Sequence, residues 1–160
     1  MDRPPTIERL PADFADWEGL LALIQKAFAI MDGIIEPPSS VHRLDAAGLA
    51  EKAKAELCLV ATVDGTIAGC AFLADRGDHF YLGKLAVDPA HQGRGIGRVL
   101  AAVAEGIAYD QGKHAIELQT RVELTGNQAA FRSLGFTETD RTAHAGYGRP
   151  TSVTMRKELR

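Results

Sequence analysis

The stretch on which the interpretation of this chain depends reads Gln92-Gly93-Arg94-Gly95-Ile96-Gly97. It follows a predicted strand and opens a predicted helix. Glycine has no Cβ atom, so this backbone can turn tightly and can approach a ligand closely. The first N–H groups of the helix have no partner inside it, and with the helix dipole they form a site suited to a pyrophosphate. Arg94 and Arg98 can add charge-assisted contacts.

Other interpretations of the same glycines fit less well. A dinucleotide-binding loop needs the spacing G-x-G-x-x-G, and a P-loop ends in Gly-Lys-Ser or Gly-Lys-Thr. Glycines at 93, 95 and 97 give neither pattern. A plain strand-to-helix turn does not need three glycines. We therefore interpret the stretch as an anion-binding loop, called the phosphate loop below (residues 92–98).

The rest of the chain alternates between strand and helix patterns. We predict strands over residues 7–10, 58–63, 67–73, 80–87, 115–120, 136–142 and 152–157, and helices over residues 16–31, 45–56, 95–109 and 129–134. Residues 34–44, which contain Pro37-Pro38-Ser39-Ser40, are predicted to form a loop, called the Pro-Ser loop below. The strand, helix and strand of residues 80–120 imply a parallel pair joined by a crossover, and the other pairs are mostly antiparallel. The pattern predicts a mixed sheet with helices on its faces.

Composition predicts one globular domain over residues 1–160. The chain is 46% hydrophobic and 24% charged, and its formal net charge of −3 argues against nucleic acid as a partner. It has no apolar run long enough to span a membrane, and no apolar signal region follows Met1. The cytoplasm is the expected compartment. The composition leaves open whether the chain forms a homodimer.

The two cysteines are predicted to be small buried hydrophobic residues, not a disulfide. If Asp64-Gly65 forms a two-residue hairpin turn, Cys58 pairs with Ala71, and Cys70 is one residue out of register. The two thiols should then face opposite sides of the sheet. The histidines show no metal-binding spacing, so no metal is expected; they lie at positions 42, 79, 91, 114 and 144.

The sequence Gln92-x-x-Gly95-x-Gly97 resembles the Q/R-x-x-G-x-G/A signature of the GNAT acetyltransferase superfamily. It lies within a longer phrase, residues 85–97, and Leu134-Gly135-Phe136 follows downstream. The resemblance covers the chain from about residue 58 onward, and the earlier element order agrees with it. It implies an α+β (mixed α/β) fold: a central, mostly antiparallel mixed sheet of about six or seven strands, with a splayed parallel pair and about four helices. It also implies a single-domain, bacterial-type N-acetyltransferase with acetyl-CoA as its co-substrate.

The resemblance further implies which residues hold coenzyme A. The backbone N–H groups of Gln92, Gly93, Arg94, Gly95, Ile96, Gly97 and Arg98 would bind the pyrophosphate. In the bulged strand before them, which comprises Leu85, Ala86 and Val87, the Leu85 N–H would polarise the acetyl carbonyl and Val87 would bond the pantetheine arm. Asn127 would bond the pantetheine as well, although a helix N-cap is an equal alternative.

The chain departs from the family pattern at two positions. Many members have a tyrosine that protonates the leaving thiolate where this chain has Phe131, so either Tyr147 or Tyr81 is a candidate acid, or none is needed. Histone-modifying members have a glutamate base where this chain has Tyr81. The amine could then be deprotonated through a water, by His42 or by Glu117, which lies on the polar face of the strand over 115–120 together with Gln119 and Arg121.

Two loops are candidates for the acceptor side: the Pro-Ser loop with His42 and Arg43, and residues 143–150, called the late loop below, with His144 and Arg149. They look able to close a cup, which favours a small-molecule amine attacked directly on the thioester. Arg43 and Arg149 suggest an acceptor with a carboxylate. The alternatives are an N-terminal or lysine acetyltransferase of proteins and a non-catalytic coenzyme A-binding domain.

Overall fold

The computed structural model describes residues 4–160, which form a seven-stranded sheet with helices on both faces. The strands are β1 (Thr6–Arg9), β2 (Leu57–Val63), β3 (Thr66–Asp75), β4 (His79–Val87), β5 (Ala115–Arg121), β6 (Thr137–Thr142) and β7 (Ser152–Glu158). The helices are α1 (Trp17–Phe28), α2 (Ala46–Ala55), α3 (Ile96–Asp110) and α4 (Thr125–Ser133). Short 3₁₀ turns lie at Ala29–Met31, Ser40–Arg43 and Pro89–His91.

The strand order in the sheet is β1-β2-β3-β4-β5-β7-β6. Only β4 and β5 pair in parallel, from His79–Ala115 to Tyr81–Glu117, and every other pair in the sheet is antiparallel. Beyond Tyr81 the two parallel strands are no longer paired although both continue. The predicted fold class, element order and splayed parallel pair are therefore confirmed.

Two hydrophobic clusters lie on opposite faces of this sheet. On one face α1 and α2 cover a core that includes Ile24, Leu49 and Phe72. On the other face α3 covers a core that includes Leu100 and Met155. Burying both faces stabilises the sheet, which then holds the splayed ends of β4 and β5 in a fixed relation.

Two helices differ from their prediction. The apolar spacing of residues 96, 99, 100, 103 and 107 predicts one buried face for α3, but Val99 is 38% exposed. The α3 residues that face the sheet are Ile96, Leu100, Ala104 and Ala108, whose small alanines allow the helix to approach it closely. Helix α4 begins at Thr125, four residues earlier than predicted, because the Gln128 side chain binds the carbonyl groups that end β5.

The prediction for the cysteines is correct for their burial and wrong for their direction. Both are free and buried, and burial raises the pKa of Cys58 to about 12. The hairpin turn is also present, but β3 has an extra residue, Ala68, opposite the step from Ala61 to Thr62 in β2, and this bulge shifts the register. As a result Cys58 and Cys70 lie in the same cluster on the α1/α2 face.

Phe72→Ala should destabilise the fold strongly, because Phe72 is fully buried beneath α1 and α2. We expect a loss of about 3–5 kcal/mol in the free energy of unfolding, measured by urea titration. Ile30→Ala is the control, since Ile30 is 72% exposed and should change the same quantity by less than about 0.5 kcal/mol. Similar losses in the two variants would contradict the assignment of this core.

Candidate active site

A cleft of about 1030 Å³ opens where β4 and β5 separate. Its walls come from the unpaired part of β4, the phosphate loop, the end of β5, the start of α4 and the Pro-Ser loop. A cleft of this size is large enough for an extended ligand with several polar groups. The site therefore depends on the splay of the only parallel pair in the sheet.

A bulge in β4 forms one wall of the cleft. Lys84 and Leu85 oppose the single residue Ala71 of β3, and Lys84 has φ of 48°. A left-handed backbone costs a non-glycine residue roughly 1–2 kcal/mol, so the bulge is a strained feature. The thiol of Cys70 donates to the Lys84 carbonyl oxygen at 3.6 Å and helps to hold it. Leu85 lies at the bulge and lines the cleft, where the sequence placed it.

The phosphate loop has the geometry of an anion site. Gly93 and Gly95 have φ of 82° and 80°, a conformation that favours glycine, and a Cβ atom at either position would meet only open space. The first helical hydrogen bond of α3 joins Val99 N–H to the Gly95 carbonyl oxygen at 3.1 Å. The N–H groups of residues 96–98 therefore precede the hydrogen-bond ladder of the helix.

Two side chains fix the loop to its surroundings. The amide of Gln92 donates to the Val87 carbonyl oxygen at 3.3 Å, which ties the loop to the end of β4. The guanidinium of Arg94 lies 3.4 Å from His91 Nδ1 and not among the cleft residues, whereas Arg98 lines the cleft. Of the two arginines, Arg98 is thus the one placed to meet an anion.

Helix α4 supplies the wall opposite β4. Phe131 lines the cleft and packs edge-on against Phe136, with the ring centroids 5.7 Å apart. Asn127 also lines the cleft and is exposed. It lies inside α4, which begins at Thr125, so the alternative that Asn127 caps this helix is wrong.

The Pro-Ser loop is tied across the cleft by two cationic side chains of the sheet. The guanidinium of Arg121, at the end of β5, donates to the carbonyl oxygens of Pro37 at 2.7 Å and Pro38 at 3.3 Å. The Lys84 ammonium donates to the Ser40 hydroxyl at 2.9 Å. These contacts place the loop over the point where the strands part.

The late loop contacts the Pro-Ser loop through Glu36. The Tyr147 hydroxyl donates to the Glu36 carboxylate at 3.1 Å, and the Glu36 N–H donates to the Glu123 carboxylate at 3.2 Å. The two loops predicted to border the acceptor are therefore in contact with each other. One oxygen of Glu123 is buried and has no hydrogen-bond partner among residues 4–160.

The structure separates the four candidates for proton transfer. Tyr81 lines the cleft, and burial raises the pKa of its phenol. Tyr147, Glu117 and His42 do not line the cleft. Glu117 forms an ion pair with Arg156 at 3.1 Å, and His42 Nε2 lies 2.7 Å from Asp32. The predictions that Glu117 or His42 deprotonates the amine are thus not supported, because both are held by partners outside the cleft.

The candidates for binding the acceptor also differ in whether they line the cleft. Arg43 and His144 line the cleft, but Arg149 does not. The Arg149 guanidinium lies 3.9 Å from the carboxylate of Glu123, which lines the cleft, and it stacks over the Tyr147 ring. Lys84 was missed by the sequence interpretation, although a lysine inside an otherwise apolar strand is a visible signal.

His144 has the properties of a proton acceptor. Its Nδ1 is hydrogen-bonded to the Thr151 hydroxyl, which leaves Nε2 for another partner. Burial lowers the pKa of His144, and the charges of Arg121 and Arg43 lower it further. The imidazole is therefore mainly neutral at pH 7.

The described part of the chain, residues 4–160, contains no cluster of three or more His, Cys, Asp or Glu side chains arranged for a metal ion. None of its helices has the length and apolar character needed to cross a membrane.

A splayed strand pair with an anion-binding loop at its mouth defines a class of proteins that hold a phosphate-bearing ligand between two strands. The sequence matches the acetyltransferase (GNAT) family over residues 17–136. A protein of Azospirillum brasilense named IAA acetyltransferase is 34% identical over 131 residues, which are 79% of this chain and 82% of that protein. Aminoglycoside N(6')-acetyltransferase type 1 of Stenotrophomonas maltophilia is 31% identical over 101 residues, 58% of this chain and 66% of that protein.

Solved structures show the same fold. The ribosomal-protein-S18-alanine N-acetyltransferase of Escherichia coli superposes with a TM-score of 0.76 at 23% identity, over 97% of this chain and 94% of that chain. A GNAT family acetyltransferase of Elizabethkingia anophelis with acetyl-CoA bound superposes with a TM-score of 0.72 at 18% identity, over 98% of this chain and 99% of that chain. The chain belongs to the acetyltransferase (GNAT) family and is an acyltransferase that uses acetyl-CoA.

Proposed function

We propose that this enzyme transfers the acetyl group of acetyl-CoA to the amine of a small molecule, by direct attack of the amine on the thioester. The two loops beside the splay carry this proposal. The Arg121–Pro37 contact holds the Pro-Ser loop over the splay, and the Tyr147–Glu36 contact joins the late loop to it. A cleft bordered by loops on this side suits a small acceptor better than a polypeptide. The two relatives named above, for IAA and for an aminoglycoside, are consistent with a small molecule.

Coenzyme A binding is assigned to the phosphate loop and to β4. The N–H groups of residues 92–98 and the Arg98 guanidinium bind the pyrophosphate. The backbone of Ala86 and Val87 holds the pantetheine, which also contacts Asn127 and Phe131. The Leu85 N–H donates to the acetyl oxygen as negative charge develops there, a contribution of typically ~2.7–4 kcal/mol.

The transfer itself needs two proton movements. As the amine nitrogen bonds to the acetyl carbon, its proton passes to Nε2 of the neutral His144, and the carbon–sulfur bond breaks to release the thiolate. A thiolate with a conjugate-acid pKa near about 8.5 is a good leaving group, so protonating it requires only modest help. Tyr81 supplies this proton, since its phenol lies in the cleft and burial keeps it protonated.

Tyr81→Phe should lower kcat by about 10²-fold, because the cleft then loses its proton donor. Tyr147→Phe is the comparison: its hydroxyl is bound to Glu36 outside the cleft, so losing this contact between the loops should raise the KM for the acceptor and leave kcat near that of the wild type. Both rates are measured by thiol release at saturating acetyl-CoA. If neither variant loses activity, no tyrosine acts as the acid, and the thiolate is protonated by solvent.

The acceptor class is tested by a panel that contains amino acids, polyamines, aminoglycosides and short peptides. Each compound is incubated with the enzyme and acetyl-CoA, and the acetylated product is identified by mass spectrometry. We expect turnover on one of the small-molecule groups. Turnover confined to the peptides would overturn the proposal and assign the enzyme to protein acetylation.

A further inference from the structure

Three cationic side chains beside the Pro-Ser loop, in the wall of the cleft, form no ion pair with an acid among residues 4–160. Lys84 donates to a neutral hydroxyl, and Arg121 donates to two neutral carbonyl groups. For Arg43 the described residues, 4–160, provide neither a hydrogen bond nor an ion pair. The chain as a whole has 21 acidic and 18 basic residues, so an excess of acids was available to neutralise this cluster.

Arg43 and Arg121 each repel the Lys84 ammonium. Burial lowers the pKa of Lys84, and the charges of Lys52, Arg43 and Arg121 lower it further. Lys52 is paired with Glu56 at 2.8 Å, whereas Arg43, Lys84 and Arg121 form no such ion pair within residues 4–160. Like charges in one partly buried cleft are unfavourable until an anion binds among them.

The position of this cluster distinguishes it from the coenzyme A phosphate site. Lys84 directly precedes Leu85 at the β4 bulge, and it contacts the Pro-Ser loop. The phosphate loop begins at Gln92, seven residues after Leu85. It leads into α3, which lies on the other face of the sheet. The cluster therefore lies at the acyl end of the cleft, where the acceptor must enter.

We propose that Arg43 and Lys84 bind a carboxylate of the acceptor, with Arg121 adding to the positive potential, so that the substrate is an amino-acid-like amine. This inference rests on the proposed transfer to a small-molecule amine. A guanidinium and an ammonium each form charge-assisted hydrogen bonds with a carboxylate. Polycationic acceptors such as polyamines would be repelled by the same charges.

The kinetic test compares pairs of acceptors of which one carries the carboxylate and the other its neutral amide. The kcat/KM values for the standard L-amino acids and their amides are measured for the wild type, Arg43→Gln, Lys84→Gln and the control Lys54→Gln. Lys54 is exposed on α2 and pairs with Glu51. An amide has a less basic amine than its acid, and this difference is the same for every protein tested. The informative quantity is therefore the ratio of kcat/KM for the acid to kcat/KM for the amide, compared between the wild type and each variant.

We expect Arg43→Gln and Lys84→Gln to reduce the acid-to-amide ratio by about tenfold or more, with Lys54→Gln unchanged. An unchanged ratio in both cleft variants, with turnover intact, would overturn the carboxylate site and leave the proposed function standing.

A binding measurement covers the case in which no amine is turned over. The same acids and amides are added to the protein with coenzyme A, and the shift in Tm is recorded. A larger shift with an acid than with its amide, lost in Arg43→Gln, would support the carboxylate site even if the proposed function fails. Equal shifts for every acid and amide, together with no turnover, would overturn both.

Discussion

Gly95→Glu should lower the affinity for coenzyme A by about 10²-fold or more while the protein still folds. Gly95 has φ of 80° and immediately precedes the first turn of α3. A glutamate there places a negative charge beside the N–H groups that bind the pyrophosphate. Losing two charge-assisted hydrogen bonds, at about 1.5–3 kcal/mol each, accounts for an effect of this size.

The chain offers a closely matched control for this variant. Gly112, after the end of α3, has φ of 78° and equally open surroundings, but it does not line the cleft. Gly112→Glu therefore carries the same backbone strain, roughly 1–2 kcal/mol, without the effect on the ligand. Calorimetric titration with coenzyme A should show normal affinity for Gly112→Glu. Equal affinities in the two variants would show that the phosphate loop is assigned wrongly.

His144→Gln should lower kcat/KM by about 10²–10³-fold, because the amine then lacks its proton acceptor. The affinity for coenzyme A should not change, since His144 belongs to the late loop and not to the phosphate loop. His114→Gln is the control, because His114 is exposed and lies outside the cleft. Loss of coenzyme A affinity in His144→Gln would point instead to a structural role.

The pH dependence gives a second signature of His144. Activity requires the neutral imidazole, and burial with two nearby arginines lowers the pKa of His144 below its usual 6.5. The contribution of His144 to the rate should therefore be fully present above pH 6.5 and should be lost as the pH drops through the lowered pKa. In His144→Gln this acid limb should disappear. An acid limb of unchanged midpoint in the variant would exclude His144 as the base.

The sequence predicted those parts of the molecule that depend on local chemistry. Asp64-Gly65 specified a tight hairpin, and Val63 does pair with Thr66 as such a turn requires. Three glycines before an apolar helix specified the phosphate loop. The bulge at Ala68 in β3 reversed the direction predicted for the cysteines. Gly69 stands beside it, and a glycine inside a strand often marks a bulge, but residues 67–73 were interpreted as a regular strand.

The acceptor side could be predicted only in part, because residues distant in the sequence assemble it. Arg121 and Pro37 are 84 positions apart, and their hydrogen bond decides where the Pro-Ser loop lies. The alternation of β5 correctly predicted a polar face containing Glu117 and Arg121. Which end of that face meets the cleft depends on where β4 and β5 part, at Tyr81. Glu117 lies at the paired end, and Arg121 lies at the open end.

The stoichiometry of thiol release tests the central claim most directly. The enzyme is mixed with acetyl-CoA alone, and then with acetyl-CoA and each member of the acceptor panel, while free thiol and acetylated protein are both measured. We expect neither thiol nor acetyl-enzyme without an amine, and one thiol for each N-acetylated product once the right amine is present. Coenzyme A binding without thiol release for any amine, or a burst of thiol with an acetylated enzyme before the amine is added, would contradict direct transfer to an amine.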